Sequence, residues 1–491
     1  MYTLGIDLGS SSVKTALLDV GSGRCAGGAM SPDAEMAISA PQPGVAEQDP
    51  VSWYDNARRA VRRTLEQAGA AAERVRAIGI AYQMHGLVCV DSSGKVLRPA
   101  IIWCDSRAVP YGDRAFAKIG EERCLRHLLN SPGNFTASKL AWVKEHEPEV
   151  YTRIHKIMLP GDWLAAALTG RICTTAPGLS EGILWDHLEE QPCAFLMDHF
   201  GFDPGLLGEP VPTFGVQGEL TAAAAADFGL AEGTPVCYRA GDQPNNALSL
   251  SVLQPGEAAA TAGTSGVIYG VSDRLEYDPE SRVNTFLHVN HSPNAPRRGV
   301  LLCINGAGSV NAWLRRLLGV SGYEEMNHLA AEVAVGCDGL TVLPFGNGAE
   351  RMLGNRIVGA GMAGLDLNRH TGAHLCRAVQ EGVAFSFRYG MRIMESLGMS
   401  TSTIRAGRAN LFLSDVFCET LACASGATIE LFDTDGALGA ARGAGVGAGI
   451  FDSPEAAFSS LERIGIVEPE AGEHDEAFHR WEAHLNNVLK K

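Results

Sequence analysis

Tyr2-Thr3-Leu4-Gly5-Ile6-Asp7-Leu8-Gly9-Ser10-Ser11-Ser12-Val13-Lys14-Thr15-Ala16-Leu17-Leu18-Asp19 is an apolar run, a glycine with three hydroxyls, and a second apolar run. It predicts a strand over 2–8, a tight turn at Gly9–Ser12 and a returning strand over 13–19. Successive backbone N–H groups in a glycine-led turn form an anion nest, and hydroxyls add donors. An aspartate at the strand end beside such a nest suits a hydrated magnesium ion. The competing reading is an ordinary hairpin turn. A P-loop is excluded although Lys14-Thr15 follows the turn, because Val13 replaces the glycine that motif needs and a strand follows instead of a helix.

Outward from this hairpin, Trp53, Ala57, Ala60, Val61 and Leu65 fall on one face of a helix predicted over 50–68. A strand over 75–81 then runs into the loop Tyr82-Gln83-Met84-His85-Gly86. The second half makes a comparable start. A strand at 234–238 leads to Ala240-Gly241-Asp242, and a strand at 257–262 reaches the tip Gly263-Thr264-Ser265-Gly266 and returns over 267–270. The shared pattern suggests an internal duplication. Helices are predicted over 374–394, 414–425 and 473–489. Residues 437–450 are so rich in Gly and Ala that they must pack closely against another element. Gly443-x-Gly445-x-x-Ala448 matches a dinucleotide fingerprint by letter only, since no clear strand precedes it. Alternation on this scale argues an α/β fold.

With 491 residues, two domains are expected, divided at 1–243 and 244–491. Apolar residues make up 46% and charged residues 20%, the profile of a globular protein. The net charge of -16, without any Lys/Arg cluster, argues against nucleic acid as a partner. No apolar run reaches the ~18 residues of a membrane span. The twelve cysteines are scattered without a Cys-x-x-Cys pair, which fits reduced thiols and a cytoplasmic location, and the first residues lack the basic region of a secretion signal.

Two further stretches bear chemistry. Asp242 stands at a strand end between Gly241 and the amides Gln243, Asn245 and Asn246; it is either a turn cap or a base for an attacking alcohol. Gln83, Met84 and His85 offer an amide, a thioether and an imidazole to a polyol, and Trp103 with Asp105 and Arg107 offers an apolar wall and polar contacts.

These residues together resemble the FGGY carbohydrate kinase family, most closely its xylulokinase members. The specific pieces are Glu47-Gln48-Asp49-Pro50 with Trp53, Gln83-Met84-His85-Gly86, Trp103-x-Asp105-x-Arg107, and Lys139-Leu140-x-Trp142 with Glu147-Pro148-Glu149. Further on come Leu159-Pro160-x-Asp162-Trp163, Gly241-Asp242, Gly263-Thr264-Ser265-Gly266, and Leu343-Pro344-Phe345 with Gly348-x-Glu350-Arg351. The resemblance implies two actin-like (ribonuclease H-like) ATPase domains with a cleft between them. It implies ATP and Mg2+ as cofactors, with Asp7 and Asp242 at the metal and Asp242 as catalytic base. Gln83, Met84, His85, Trp103, Asp105 and Gln243 would face the sugar. Gly9, Ser10, Ser11, Gly263, Thr264, Ser265, Gly306, Gly407, Arg408 and Asn410 would hold the nucleotide. The reaction implied is D-xylulose to D-xylulose 5-phosphate. Ribulose, fructose, erythritol or glycerol are the alternatives within that family, and an actin- or chaperone-like ATPase switch is the alternative outside it. Family members are often dimers, so a homodimer is implied too.

Overall fold

In the computed structural model, which describes residues 1–490, the chain forms two large mixed sheets with helices packed on them. The predicted hairpin forms as the antiparallel strands Tyr2–Leu8 and Val13–Asp19, and Cys25–Ser31 extends it. The strand Val75–Tyr82 lies parallel to Tyr2–Leu8, and Pro235–Gly241 lies parallel to Val75–Tyr82. Phe214–Glu219 closes that edge antiparallel.

The second sheet repeats the plan. Glu257–Ala262, Gly266–Ser272 and Arg298–Ile304 form the antiparallel run, and Thr403–Gly407 and Thr428–Phe432 follow parallel to Glu257–Ala262. Asn284–Leu287 and Arg463–Val467 are its edges. Each sheet thus carries a strand order 3-2-1-4-5. The strand expected to open the second half, at 234–238, is instead the last parallel strand of the first sheet. Local sequence gives a strand but not its partner.

The Gly/Ala-rich stretch forms the helix Gly436–Gly447, and it lies on the first sheet, not the second. A Cβ at Gly5 or Gly79 would run into the Ala437 or Ala440 carbonyl oxygen, and one at Gly443 would sit 2.7 Å from the Tyr238 ring. Close packing, not nucleotide recognition, therefore explains Gly443-x-Gly445-x-x-Ala448. The helix Asp242–Ser249 places Ala247 in an apolar cluster with Ala259, Val267 and Tyr269 of the second sheet. Each helix that follows a fifth strand thus crosses to the other sheet. The two touch where the Asn245 side-chain amide donates to the Gly436 carbonyl oxygen (2.8 Å).

The long helix Gly372–Ser396 and the terminal helix His474–Leu489, which buries Phe478, Trp481 and Leu485, fill the core beneath the second sheet. No helix among the described residues is long and apolar enough to cross a membrane.

Candidate active site

Three neighbouring parallel strands of the first sheet end side by side: Tyr2–Leu8 at Asp7, Val75–Tyr82 before Gln83, and Pro235–Gly241 before Asp242. Carboxyl ends of parallel strands are where α/β sheets bind ligands. A cavity of about 490 Å3 opens there. From the first half it is lined by Asp7, Gly9, Ser10, Ser11, Gln83, Met84, His85, Trp103, Asp242 and Gln243; from the second half Ser265 lines it. Both hydroxyl-bearing tips therefore face one space.

Most of the other expected nucleotide residues cluster at the carboxyl ends of the second sheet's parallel strands, outside that cavity. The Thr264 carbonyl oxygen accepts from the Ser309 N–H (3.2 Å) in the first turn of the helix Ala307–Leu318. Gly263 lies against Asn410, and Gly306 precedes that same helix. Gly407 ends a strand, and the Arg408 N–H donates to the Phe432 carbonyl oxygen (3.0 Å). Glu350 holds the turn into the helix by accepting the Asn305 N–H (3.1 Å), and burial pushes its carboxyl up to about 7.

The two aspartates are neighbouring carboxyls largely enclosed by protein. Burial first, and repulsion from Asp7 second, push the Asp242 carboxyl up to about 7; the Gln243 N–H and side chain pull it partly back. Asp7 is pushed up to about 6 by burial and by Asp435, and Lys14 opposes that shift. Lys14 stands directly opposite Asp7 in the hairpin and also lines the cavity. In the sequence Lys14 stands out only through its likeness to a P-loop. The available signal was register, since directly opposed residues of an antiparallel pair share a face.

The loop Tyr82-Gln83-Met84-His85-Gly86 is braced by buried and part-buried hydrogen bonds. His85 adopts φ +61°, and its carbonyl oxygen accepts from the Nζ of Lys139 (2.8 Å), a lysine with no exposure at all. His85 Nδ1 lies 2.9 Å from the Glu181 carbonyl oxygen, which can only accept, so Nδ1 carries the proton. Burial foremost, then the Lys139 charge, depress this imidazole to about 3, so it is neutral with Nε2 free as an acceptor. Gln48 ties the loop to the first tip: its Nε2 donates to the Ser10 carbonyl oxygen (2.7 Å), and its Oε1 accepts from Trp53 (3.1 Å) and Gln83 (3.2 Å). Trp103 is half exposed, with Nε1 3.3 Å from Ser10 Oγ.

Asp105 departs from the expectation that it faces the sugar. It is fully buried outside the cavity, accepting from the Ala46 N–H (2.7 Å) and pairing with Arg107 (2.6 Å). Arg107 also pairs with Glu47 (2.8 Å) and stacks on Trp142, while Arg98 bridges Glu47 and Glu147. Glu47, Asp105, Arg107, Trp142 and Glu147 are thus one scaffold network beneath the loop bearing Trp103.

The chain resembles known proteins over nearly its whole length. The xylulose kinase of Escherichia coli K12 is 31% identical over 468 residues, covering 94% of this chain and 92% of that one. The crystal structure of the xylulose kinase from Rhodospirillum rubrum superposes with a TM-score of 0.86 at 26% identity over the full length of both chains. A glycerol kinase from Plasmodium falciparum, solved with ADP, has a TM-score of 0.89 at 19% identity over 99% of this chain and 98% of its own, which shows the shared fold alone. The model of the FGGY carbohydrate kinase N-terminal domain matches residues 2–249, and that of the C-terminal domain residues 258–448. With both halves matched and two equivalent sheets meeting at a cleft, this chain belongs to the FGGY family of carbohydrate kinases.

Proposed function

We propose that this kinase transfers the γ-phosphate of ATP to the terminal hydroxyl of D-xylulose, giving D-xylulose 5-phosphate and ADP. The lobe of residues 1–243 would hold the sugar and the lobe 244–491 the nucleotide. One observation carries the reading: a carboxylate with its pKa near 7, a neutral histidine acceptor and both hydroxyl-bearing tips line the same cavity. Asp242 takes the proton from the attacking hydroxyl as its oxygen bonds to the γ-phosphorus and the bond to the β–γ bridging oxygen breaks. A base poised near neutrality suits this step. Gly9, Ser10 and Ser11 from one tip and Gly263, Thr264 and Ser265 from the other grip the phosphates, and Gly306, Gly407, Arg408 and Asn410 surround the rest of the nucleotide. Met84, His85, Gln83 and Gln243 face the sugar, with Trp103 as a wall. Closing the lobes excludes water, so that ATP meets the sugar hydroxyl and not solvent.

A divalent cation fits the donor set. Asp7 and Asp242 present oxygens, and burial raises both carboxyls, with repulsion from Asp435 adding to the shift at Asp7 and repulsion from Asp7 to that at Asp242, a cost that a cation relieves. Magnesium held there with phosphate oxygens would supply charge neutralisation, which together with positioning dominates phosphoryl transfer.

ADP release measured across ketoses and polyols tests the reading: D-xylulose is expected to give the highest kcat/KM. A higher value for ribulose, fructose, erythritol or glycerol would overturn the assignment of the sugar. ATP turnover without sugar as fast as the best sugar rate would favour an ATPase switch.

The pH profile follows from Asp242. A carboxyl raised to about 7 is protonated, and useless as a base, below that value. We expect kcat/KM for the ketose to fall about tenfold per pH unit below 7, more steeply below about 6 where Asp7 is also protonated. A flat profile from pH 5 to 8 would contradict this. Lys139 acts through His85, so Lys139→Met should raise the ketose KM about 10-fold or more while the KM for ATP stays within about 2-fold. Equal losses for both substrates would mean that the lysine supports only the fold.

A further inference from the structure

We propose that Asn284, from the second sheet, is a ligand for one hydroxyl of the ketose and helps to decide which sugar is accepted. The inference deepens the ketose kinase reading and rests on it. Asn284 lines the cavity beside Val267, Leu301 and Cys303, and is the only amide in that otherwise apolar wall. It is 8% exposed, and its side chain makes no hydrogen bond to any described residue; its Oδ1 is shut off from solvent. Buried amides are normally satisfied, so an idle one at the wall of a polyol cavity calls for a partner. Gln83 and Gln243, across the same cavity, also keep Oε1 without a partner among the described residues.

The strand that carries Asn284 is fixed against the sugar-side half. The Thr285 N–H donates to Asn130 Oδ1 (3.1 Å), and the Thr285 carbonyl oxygen accepts from Asn130 Nδ2 (2.7 Å). The Leu287 N–H donates to Ser180 Oγ (3.0 Å). Two residues after Asn284 on the same strand face, Phe286 packs against the His85 ring at 5.3 Å and the Phe135 ring at 5.9 Å. Asn284 therefore points toward the histidine loop, at a position set before any lobe closure. A sugar held there would be gripped by amides from both halves: Gln83 and Gln243 on one side and Asn284 on the other.

A site that hydrogen-bonds a hydroxyl discriminates strongly against a ligand lacking it, because its own polar group is then left unpaired. Asn284→Ala is expected to raise the KM for D-xylulose by about 10–100-fold, with the KM for ATP and the melting temperature close to wild type. With single-deoxy xyluloses, one analogue should be as poor a substrate for wild type as D-xylulose is for the variant, and should lose nothing further on substitution. An unchanged D-xylulose KM would overturn the inference, and so would losses that are equal for every analogue or shared with ATP. Should the alanine variant fail to fold, Asn284→Ser is put through the same series and judged by the same outcomes. Wild type measured in parallel separates the two readings. No turnover on any ketose sinks the function and the inference with it, whereas wild-type turnover matched by Asn284→Ala sinks the inference alone.

Discussion

Asp242→Asn is expected to lower ketose phosphorylation by about 10²–10⁴-fold, the range for loss of a general base, while the protein folds and binds ATP nearly as before. The amide is isosteric and keeps the helix Asp242–Ser249 in place, so binding and chemistry separate cleanly. The same substitution has an opposite effect on stability. A carboxyl whose native pKa is about 7 against 3.8 in the unfolded chain contributes stability that is fully present below pH 3.8 and lost as pH rises through 7. Above pH 7 the ionised Asp242 therefore costs the apo-protein on the order of 4 kcal/mol, and Asn removes that cost. Melting of the metal-free protein should accordingly show the variant more stable than wild type at pH 8, with the gain vanishing at pH 4. Near-wild-type turnover would remove Asp242 from its role, and a pH-independent difference in melting would remove the electrostatic explanation.

Gly79→Val should be severely damaging although it lies outside the cleft. Any Cβ there meets the Ala440 carbonyl oxygen, and lies 2.8 Å from the Ala440 carbonyl carbon; both are backbone atoms that cannot rotate away. The helix Gly436–Gly447 would have to lift from the sheet, opening the contacts of Ala440 with Ala81 and Tyr238. We expect a loss of about 3 kcal/mol or more, read as a lower melting temperature or insoluble protein. Gly322→Ala, where nothing lies within 4 Å and the backbone is extended, should change stability by less than about 0.5 kcal/mol. The consequence reaches the active site, because Gly436 begins this helix and packs directly against the Asp7 carboxylate. An unchanged melting temperature for Gly79→Val would mean that the helix does not rest on this face.

Elements with local signals were legible in the sequence almost to the residue. The helix Pro50–Ala68 is bounded by Asp49, whose side chain accepts from the Val51 N–H (3.0 Å), and by Gly69 in the left-handed region. Both signals lie in the chain beside the helix. Partnership was not legible, because it is decided by elements far apart. The stretch 437–450 announced close packing but not that its partner would be the sheet of the other half. The strand Pro235–Gly241 read correctly as a strand and wrongly as the opening of a second half.

The site divides in the same way. Asp7, Gln83, His85 and Asp242 are polar residues at the ends of parallel strands, where α/β sheets open to ligands, and the sequence marked all four. Motif membership alone could not tell Asp105, which holds Arg107, from Trp103, which faces the cavity, since the two sit two residues apart in one loop. Asn284 gave no signal, because only its strand's pairing with Arg298–Ile304 and its anchoring by Asn130 and Ser180 bring it to the cavity that His85 lines.

A crystal structure with D-xylulose and a non-hydrolysable ATP analogue tests the central claim most directly. The sugar's terminal hydroxyl is expected about 2.6–3.2 Å from an Asp242 oxygen, with phosphate oxygens in contact with residues 9–12 and 263–266 together. A phosphate chain touching one tip only, or a sugar bound with every hydroxyl beyond hydrogen-bond reach of Asp242, would contradict it.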